Sequence, residues 1–145
     1  MLCVERYTKD YIHECRARME AQVTAYQVLA ATGRENAGAR KPAFNSALAS
    51  FEPLFFANLI LTLEGCFVHR SRTRELKDGN PLNEVRMPGT SILHNQGVMA
   101  VDKTIKYNPL KSILKIEIGQ EIKLSESDFN RLLGAFFAEL EAKFV

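Results

Sequence analysis

The first long pattern of apolar residues predicts a helix that begins after Thr8 and ends at Gly33. Its apolar positions recur at steps of three and four residues, so they share one face of an α-helix. Thr8 is a suitable N-cap, and Tyr7 can form a hydrophobic staple with Ile12. The polar residues 33–42, which lack this periodicity, predict a surface loop. The predicted buried face consists of Ile12, Cys15, Met19, Val23, Tyr26 and Ala30.

The most apolar part of the chain predicts a central helix. We expect a short helix over 43–49 and a longer one that begins near Ser50, with Pro53 in its first turn, where proline is tolerated. The longer helix ends between His69 and the turn signal at 77–80. Its first turns are apolar on nearly every side, which is typical of a helix that neighbours cover on most sides.

Asn80 can cap a further helix in which Pro81 occupies the first position. Apolar residues from Leu82 to Leu93 support this helix. Pro88-Gly89 interrupts the pattern, because proline removes a backbone hydrogen bond and glycine is a poor helix former. We therefore expect a kink or a break at this pair.

The hydrophobic period becomes strand-like after residue 112. Apolar and charged residues alternate on either side of Gly119-Gln120, which predicts a small β-hairpin over about 112–124 with a type II′ turn. The segment before it, 103–114, has two interpretations, a third strand over 103–107 or a short helix over 109–114.

Ser125 and Asp128 form a variant of the capping box and predict the start of the last helix, where Leu124 can staple onto Phe129. We expect the phenylalanines of this helix to pack against those at 51–56, because each amphipathic stripe must bury against another element. The predicted stripe consists of Phe129, Leu132, Leu133, Phe136, Phe137, Leu140 and Phe144.

The length and composition are those of one globular domain. The chain has 145 residues, of which 46% are hydrophobic and 25% charged, and this composition excludes wholesale disorder. We therefore expect a single, mainly α domain over 1–145, a bundle of about four to five helices with the β-hairpin inserted before the last helix. Nine phenylalanines and no tryptophan make phenylalanine the main aromatic residue of the core.

Charge and targeting signals indicate which partners and which cellular compartment to expect. The 19 Lys and Arg residues against 17 Asp and Glu residues leave a net charge of +2, too balanced to favour nucleic acid or an anionic membrane. The most apolar run, 54–63, is shorter than the roughly 20 residues of a bilayer span, so we expect no membrane segment. The N-terminal residues carry no secretory signal, and the three cysteines form no C-x-x-C pair. These features favour a cytoplasmic protein.

A seam of small and polar residues on the central helix is the first candidate site. At about 100° per residue these side chains fall within one sector of the helix. The seam is interpreted as the wall of a ligand pocket or, in preference, as a close helix contact. Glu64 projects from the opposite side and is expected on an exposed strip; a buried Glu64 would need a cationic partner or a raised pKa. The seam consists of Asn58, Thr62, Gly65, Cys66 and His69.

The connection after the central helix is the second candidate site. Arg70 is the first of four Lys and Arg residues that precede Asp78. Asn83, Glu84 and Arg86 follow at the start of a predicted helix, whose free N–H groups favour an anion. The segment is interpreted as a solvated loop of mixed charge or, alternatively, as a site for a phosphate or a nucleic-acid backbone.

Other chemistry has little support in the sequence. His13, His69 and His94 lie on three predicted helices without metal-ligand spacing, so we expect no metal. Cys66 and His69 share a helix in which nothing orients a base, which argues against a thiol nucleophile. The common nucleotide and serine-hydrolase motifs are absent from the sequence, and we expect no cofactor.

Three functions remain, in order of preference. The first is a non-enzymatic interaction module that forms a homodimer, because the central helix carries more apolar surface than the fold needs. The second is a small-ligand-binding protein or an enzyme that holds an anionic ligand. The third, nucleic-acid binding, is the least favoured because the basic connection has no aromatic residues for base stacking. The candidate ligand-binding residues of the second function are Asn58, Thr62, His69, Arg70, Asn83, Glu84 and Arg86.

Overall fold

The structure is a computed structural model that describes residues 3–145, and 66% of it is helix. The mainly α fold class is therefore confirmed. A one-turn 3₁₀ helix, Gly38–Arg40, joins the first two α-helices. Five α-helices lie within the described residues: α1 (Lys9–Asn36), α2 (Lys41–Cys66), α3 (Arg72–Glu75), α4 (Pro81–His94) and α5 (Glu126–Phe144).

Helix α1 begins where the sequence predicts and ends later. The Thr8 side chain caps it by accepting a hydrogen bond from the backbone N–H of Tyr11, and every residue of the predicted apolar face is buried. The helix continues beyond Gly33, where the absence of a side chain lets the ring of Phe44 pack against the backbone; a Cβ would lie 2.1 Å from that ring. The predicted loop over 33–42 is therefore much shorter than expected.

Helix α2 is one element where two were predicted. It starts at Lys41 and has Pro53 in its interior rather than in a first turn. Proline there removes one backbone hydrogen bond, at a cost of about 3 kcal/mol. Apolar burial on both sides of the proline offsets this cost, since Leu48 before it and Phe56 after it both lie in the core. The predicted break before Ser50 is therefore wrong.

Helix α4 also continues through a residue pair that was expected to interrupt it. The Asn80 side chain caps the helix as predicted, by accepting hydrogen bonds from N–H groups of the first turn. Pro88 and Gly89 both lie buried inside the helix. At Gly89 the backbone lies against Glu64 and Ile60 of α2, and a Cβ there would sit 3.5 Å from Glu64 Cγ. Packing against α2, rather than local propensity, sustains the helix at this point.

The predicted β-hairpin over about 112–124 is wrong. The part of the chain that the structure describes forms no strand and only isolated bridges, one of which joins Val98 to Glu121. Lys115 has a φ of 54°, a left-handed conformation that interrupts extended backbone within the first predicted strand. Ile116, one of the alternating apolar residues, lies in the core, but no neighbouring strand pairs with this segment.

Side chains, rather than a backbone ladder, hold the segment between α4 and α5. The Tyr107 hydroxyl donates to the carbonyl of Ile116 at 2.5 Å, and Ser91 Oγ accepts a hydrogen bond from the backbone N–H of Ala100 at 2.9 Å. Residues 103–114 form turns, so neither the strand nor the helix interpretation of this segment is correct.

Helix α5 has the predicted start and the predicted stripe. Ser125 and Asp128 form a capping box with both hydrogen bonds in place, and all residues of the stripe are buried. The predicted packing of the phenylalanine clusters is confirmed, since the ring centroids of Phe56 and Phe129 are 5.7 Å apart. Helix α2 contacts α1, α4 and α5, and α5 contacts α1, α2, α3 and α4. Only 33% of the most apolar window of α2 is buried, so the neighbouring helices do not cover α2 on most sides as predicted.

Candidate functional site

A buried cluster of charged and polar side chains lies where α2, α3 and α4 meet. Glu64 comes from the last turns of α2 and Arg70 from the turn that follows it. Glu75 ends α3, while Asn83 and Arg86 belong to α4. We call these five residues the ion cluster. Arg70 is 2% exposed and Glu75 is 0% exposed, so the fold places full charges in its interior.

The carboxylate of Glu75 is the centre of the ion cluster. It pairs with Arg70 Nε. It also binds Arg86, whose Nε lies 2.9 Å from Oε2 and whose Nη2 lies 3.2 Å from Oε1. Asn83 Nδ2 donates to Glu75 Oε2 at 3.3 Å. One carboxylate therefore bridges two guanidinium groups, whose planar forks suit bidentate binding of carboxylate oxygens.

Glu64 supplies the second negative charge of the ion cluster. Its Oε1 lies 2.9 Å from Arg70 Nη1, and its Oε2 lies 3.8 Å from Arg86 Nη1. Burial raises the pKa of the Glu64 carboxyl, and the two guanidinium groups oppose that rise. Within the ion cluster two carboxylates thus balance the guanidinium groups of Arg70 and Arg86, which is the pairing that buried charges require. The more exposed Arg72 also lies 3.5 Å from Glu75, at the edge of the cluster.

Arg70 directs its remaining N–H groups at the protein backbone. Nη1 donates to the carbonyl of Phe67 at 3.1 Å, and Nη2 donates to the carbonyl of Leu82 at 3.0 Å. Its guanidinium carbon lies 5.6 Å from the ring centroid of Phe136, close enough for a cation–π contact. These contacts join α2, α4 and α5, and they leave Arg70 enclosed by protein groups rather than open to a ligand.

The structure brings together part of the predicted anion site. Arg70, Asn83 and Arg86 converge, as the ligand hypothesis requires, but the anions that they hold are Glu64 and Glu75 of the same chain. Sequence reasoning missed Glu75 because it lies in a stretch of mixed charge without a pattern. The expectation that Glu64 is exposed was wrong, although the signal was present: a carboxylate between apolar residues of a covered helix needs a cationic partner.

Glu84, the remaining predicted ligand residue of α4, anchors a loop. Its two carboxylate oxygens accept the backbone N–H of Ile113 at 2.9 and 3.0 Å, and Oε2 also accepts that of Leu114 at 3.3 Å. Burial raises the pKa of the Glu84 carboxyl, and these backbone hydrogen bonds partly offset the rise. The carboxylate therefore fixes the segment after α4 onto α4 itself.

Most of the seam of small and polar residues on α2 and the turn after it faces solvent, whereas Cys66 is half-buried beside Cys15 of α1. Asn58, Thr62 and His69 are exposed, and a Cβ added at Gly65 would meet no atom within 4 Å. Helix α4 packs on the side of α2 that carries Glu64. Helix α2 therefore separates the candidate ligand residues of the seam from the ion cluster.

The same exposed side of α2 carries a regular apolar stripe. Its positions are separated alternately by three and four residues, the spacing of the a and d positions of a coiled coil. Phe51 is 46% exposed and Leu54 is 57% exposed. Over 42–63 only Glu52 is charged, and its carboxylate accepts the backbone N–H of Glu126. The α2 stripe consists of Phe44, Ala47, Phe51, Leu54, Asn58, Leu61 and Gly65, of which Phe44 and Leu61 are half-buried and the rest exposed.

An apolar groove borders the α2 stripe on the side of α1. Tyr26 and Leu29 of α1 and Phe51 and Phe55 of α2 line this groove, which has a volume of about 260 Å³. The rings of Tyr26 and Phe55 stack with centroids 5.6 Å apart, and Leu29 is 61% exposed. The exposed apolar surface therefore extends from the α2 stripe across to α1.

Helix α2 with the turn before it, Gly38–Cys66, is long and apolar enough to cross a membrane when length and composition alone are considered. Its mean hydropathy over the most apolar window is 1.5, and 33% of that window is buried inside the fold. The sequence interpretation, based on 54–63, missed this longer apolar element because it divided the helix in two. A core helix of a soluble protein meets the same criterion.

The histidines and cysteines form no reactive site in the described part of the chain. His13, His69 and His94 are all exposed, and residues 3–145 contain no group of three His, Cys, Asp or Glu side chains suited to a metal ion. Burial raises the pKa of the Cys66 thiol to about 11, so the thiol stays protonated at neutral pH and is a poor nucleophile.

The other arginines of the basic connection are paired with acidic residues. Arg72 Nε lies 3.5 Å from Glu75 Oε2, and Arg72 Nη2 lies 4.0 Å from Asp102. Arg74 Nε lies 3.2 Å from Glu5. These acidic partners neutralise positive charge that binding of a nucleic-acid phosphate backbone would require.

The fold and these sites define a mainly α-helical protein with an internal ion cluster and an exposed apolar face on α2. No protein-family model matches the chain, and no curated protein or solved structure is significantly similar to it.

Proposed function

We propose that this chain is a non-enzymatic interaction module that forms a homodimer through the α2 stripe. The observation that carries this proposal is a row of uncharged and mostly apolar side chains at coiled-coil spacing, which includes the exposed Phe51 and Leu54 and lies on the side of α2 that the other helices leave uncovered. Neighbouring exposed apolar side chains are typical of a protein interaction site. The ion cluster supports a non-enzymatic role, because its charged groups are paired with one another and buried.

The α2 stripe is long enough for a stable helix contact. From Phe44 to Gly65 it runs for about 33 Å at roughly 1.5 Å per residue, which is three heptads of a coiled coil. Phe51 and Leu54 each keep about half of their surface exposed in the single chain. Complete burial of such side chains contributes about 1 kcal/mol each per copy, and the groove beside Tyr26 adds further apolar area.

A second copy of the chain is the partner that this surface fits. Two helices with the same alternating spacing can insert their side chains between one another along the whole stripe, so a copy supplies a matching surface. The stripe itself carries no charge, and it offers no electrostatic complement to a charged partner. Two-fold symmetric dimers are also the commonest protein oligomers.

We place this homodimer in the cytoplasm. Cys3, Cys15 and Cys66 are free thiols, and free thiols persist in a reducing compartment.

Substitution of Leu54 by lysine tests the proposal. Leu54→Lys puts a charge into the α2 stripe, where it would have to be desolvated on association. Sedimentation equilibrium should show a dimer for the wild-type chain at high micromolar concentration and a monomer for Leu54→Lys. Leu110→Lys is the matched control, because Leu110 is 81% exposed but lies in the segment between α4 and α5, and this variant should remain a dimer.

Circular dichroism should give equal helix content for all three chains, which separates lost association from lost folding. A wild-type chain that sediments as a monomer would overturn the homodimer. A wild-type monomer that co-sediments with phospholipid vesicles would also overturn it and assign the apolar face to lipid. A dimer that survives Leu54→Lys would place the interface elsewhere and remove the role of the α2 stripe.

A further inference from the structure

Asn58 is the one polar side chain of the α2 stripe. It occupies an a position, with Phe51 and Gly65 at the neighbouring a positions and with Leu54 and Leu61 at the flanking d positions. Its side chain is exposed in the single chain. In a dimer formed through the α2 stripe, the amide would lie in the middle of an apolar interface.

We infer that Asn58 sets the orientation and register of the dimer by pairing with Asn58 of the second copy, with the two α2 helices parallel. The inference rests on the proposed homodimer. A carboxamide contains both a donor and an acceptor, so two asparagines related by a two-fold axis can hydrogen-bond to each other. A polar a-position residue that finds its partner in one register selects that register, at a cost in stability.

The alternative arrangements leave the amide without a partner. In an antiparallel pair an a position faces a d position, so Asn58 would face Leu54 or Leu61 of the second copy. A parallel pair displaced by one heptad would place Asn58 against Phe51 or Gly65. None of these side chains can accept or donate a hydrogen bond, and an unpaired buried amide is destabilising.

No other side chain of the stripe can choose between these arrangements. The seven stripe positions carry no charge, so no ion pair between the copies competes with the asparagine pair. Glu64, the nearest acidic residue in the sequence after Asn58, is held in the ion cluster by Arg70 and Arg86. The choice of register therefore depends on Asn58.

Disulfide cross-linking can distinguish the parallel from the antiparallel arrangement. The background chain carries Cys3→Ser and Cys66→Ser, which leaves only the buried Cys15. Ala47→Cys and Gly65→Cys are then made in two separate proteins. Both positions are exposed and lie near opposite ends of the stripe. The parallel register brings each new cysteine to its own counterpart, whereas the antiparallel register with Asn58 facing Leu54 brings position 47 to position 65.

Each of the two cysteine variants should therefore form a disulfide-linked dimer by itself. A mixture of the two proteins, with tags of different mass, should give no mixed disulfide. Cross-links found only in the mixture would overturn the parallel arrangement. A wild-type chain that is monomeric in sedimentation contradicts the homodimer itself, whereas a dimer with the antiparallel cross-link contradicts only the role of Asn58.

Asn58→Leu tests the residue rather than the arrangement. Removal of the polar group should tighten the dimer roughly ten-fold and allow other registers, so that mixed disulfides now form. If Asn58 only supported the fold, its replacement would leave the selectivity of cross-linking unchanged. If Asn58→Leu keeps the exclusive parallel pattern, another feature sets the register and the inference fails.

Discussion

Leu76 has a φ of 67° and a ψ of 175°, a backbone conformation that is almost restricted to glycine. Two hydrogen bonds hold it there: its N–H donates to the carbonyl of Arg72 at 3.1 Å, and its carbonyl accepts from Asn83 Nδ2 at 3.1 Å. Asn83 also binds Glu75, so the ion cluster and the strained residue share a partner. The strain at Leu76 is thus maintained by the contacts that the buried charges impose on the turn after α3.

Leu76→Gly should stabilise the fold by about 1 kcal/mol. Glycine relieves a strain of about 1–3 kcal/mol, and part of that gain is lost to the greater freedom of glycine in the unfolded chain. Leu76 is 49% exposed, so its side chain contributes little packing. Urea unfolding of the wild type and the variant measures the difference. Leu76→Ala is the control, because alanine keeps the strain and should give no gain; equal stability of the glycine and alanine variants would contradict the prediction.

The segment between α4 and α5 shows how an element without regular hydrogen bonding is built. Glu84 binds two consecutive backbone N–H groups at Ile113 and Leu114, where a strand neighbour would otherwise bind. The Tyr107 hydroxyl donates a hydrogen bond to the carbonyl of Ile116. Apolar alternation in this segment predicts the burial of Ile116, Ile122 and Leu124 correctly but not that of Ile118, which is 46% exposed. It predicts strand pairing incorrectly, because side chains from α4 and the loop satisfy the backbone first.

Glu84 should make stability depend on pH in a defined direction. Burial raises the pKa of its carboxyl above the ordinary value of 4.5. The folded chain therefore binds the proton more tightly than the unfolded chain, so this stabilising contribution is complete below about pH 4.5 and is lost as the pH rises through the folded pKa. Relative to Glu84→Gln, which does not titrate, the wild type should lose unfolding free energy as the pH rises from about 4 to about 7.

Urea unfolding of both chains at several pH values measures this difference. Glu64, whose pKa is also raised, titrates in both chains and is removed by the comparison. A difference that is constant with pH, or that grows in favour of the wild type as the pH rises, would contradict the prediction.

The ion cluster connects α3 with the end of α2, with α4 and with α5. Glu75 of α3 binds Arg70 after α2 and Arg86 of α4, and its backbone carbonyl accepts a hydrogen bond from Lys143 Nζ of α5 at 3.0 Å. Four elements therefore meet at one buried residue. Neutral, well-packed side chains can replace such a cluster without loss, but removal of one charge leaves the opposite charges buried and unpaired.

Glu75→Gln should destabilise the fold by about 3–5 kcal/mol, because Arg70 and Arg86 lose the carboxylate that they share in the interior. Glu20→Gln is the matched control, since it removes one carboxylate from the exposed Arg16–Glu20 pair on α1. Its effect should be far smaller, because solvent screens that pair. Urea unfolding at neutral pH measures both, and a Glu75→Gln chain as stable as the wild type would contradict a stabilising role of the ion cluster.

The sequence predicted part of the ion cluster. Arg70, Asn83 and Arg86 were grouped correctly because they flank one short connection and therefore lie close in space. Their counter-charges were missed. Glu64 joins them only when α2 and α4 pack together at Gly89, and Glu75 lies in a stretch of mixed charge without a pattern. The proposed homodimer and the inferred role of Asn58 both depend on which side of α2 the other helices leave uncovered.

The sequence by itself determined where three of the five described α-helices begin. Thr8, Asn80 and Ser125 cap α1, α4 and α5 as predicted, because a cap needs only backbone N–H groups within the next turn. Tertiary structure decided what local patterns leave open: that α2 runs unbroken through Pro53, and that Glu64 is buried while the opposite side of the helix is exposed. The physical reason is that burial and ion pairing depend on neighbours far away in the sequence, and these exist only once the helices have packed.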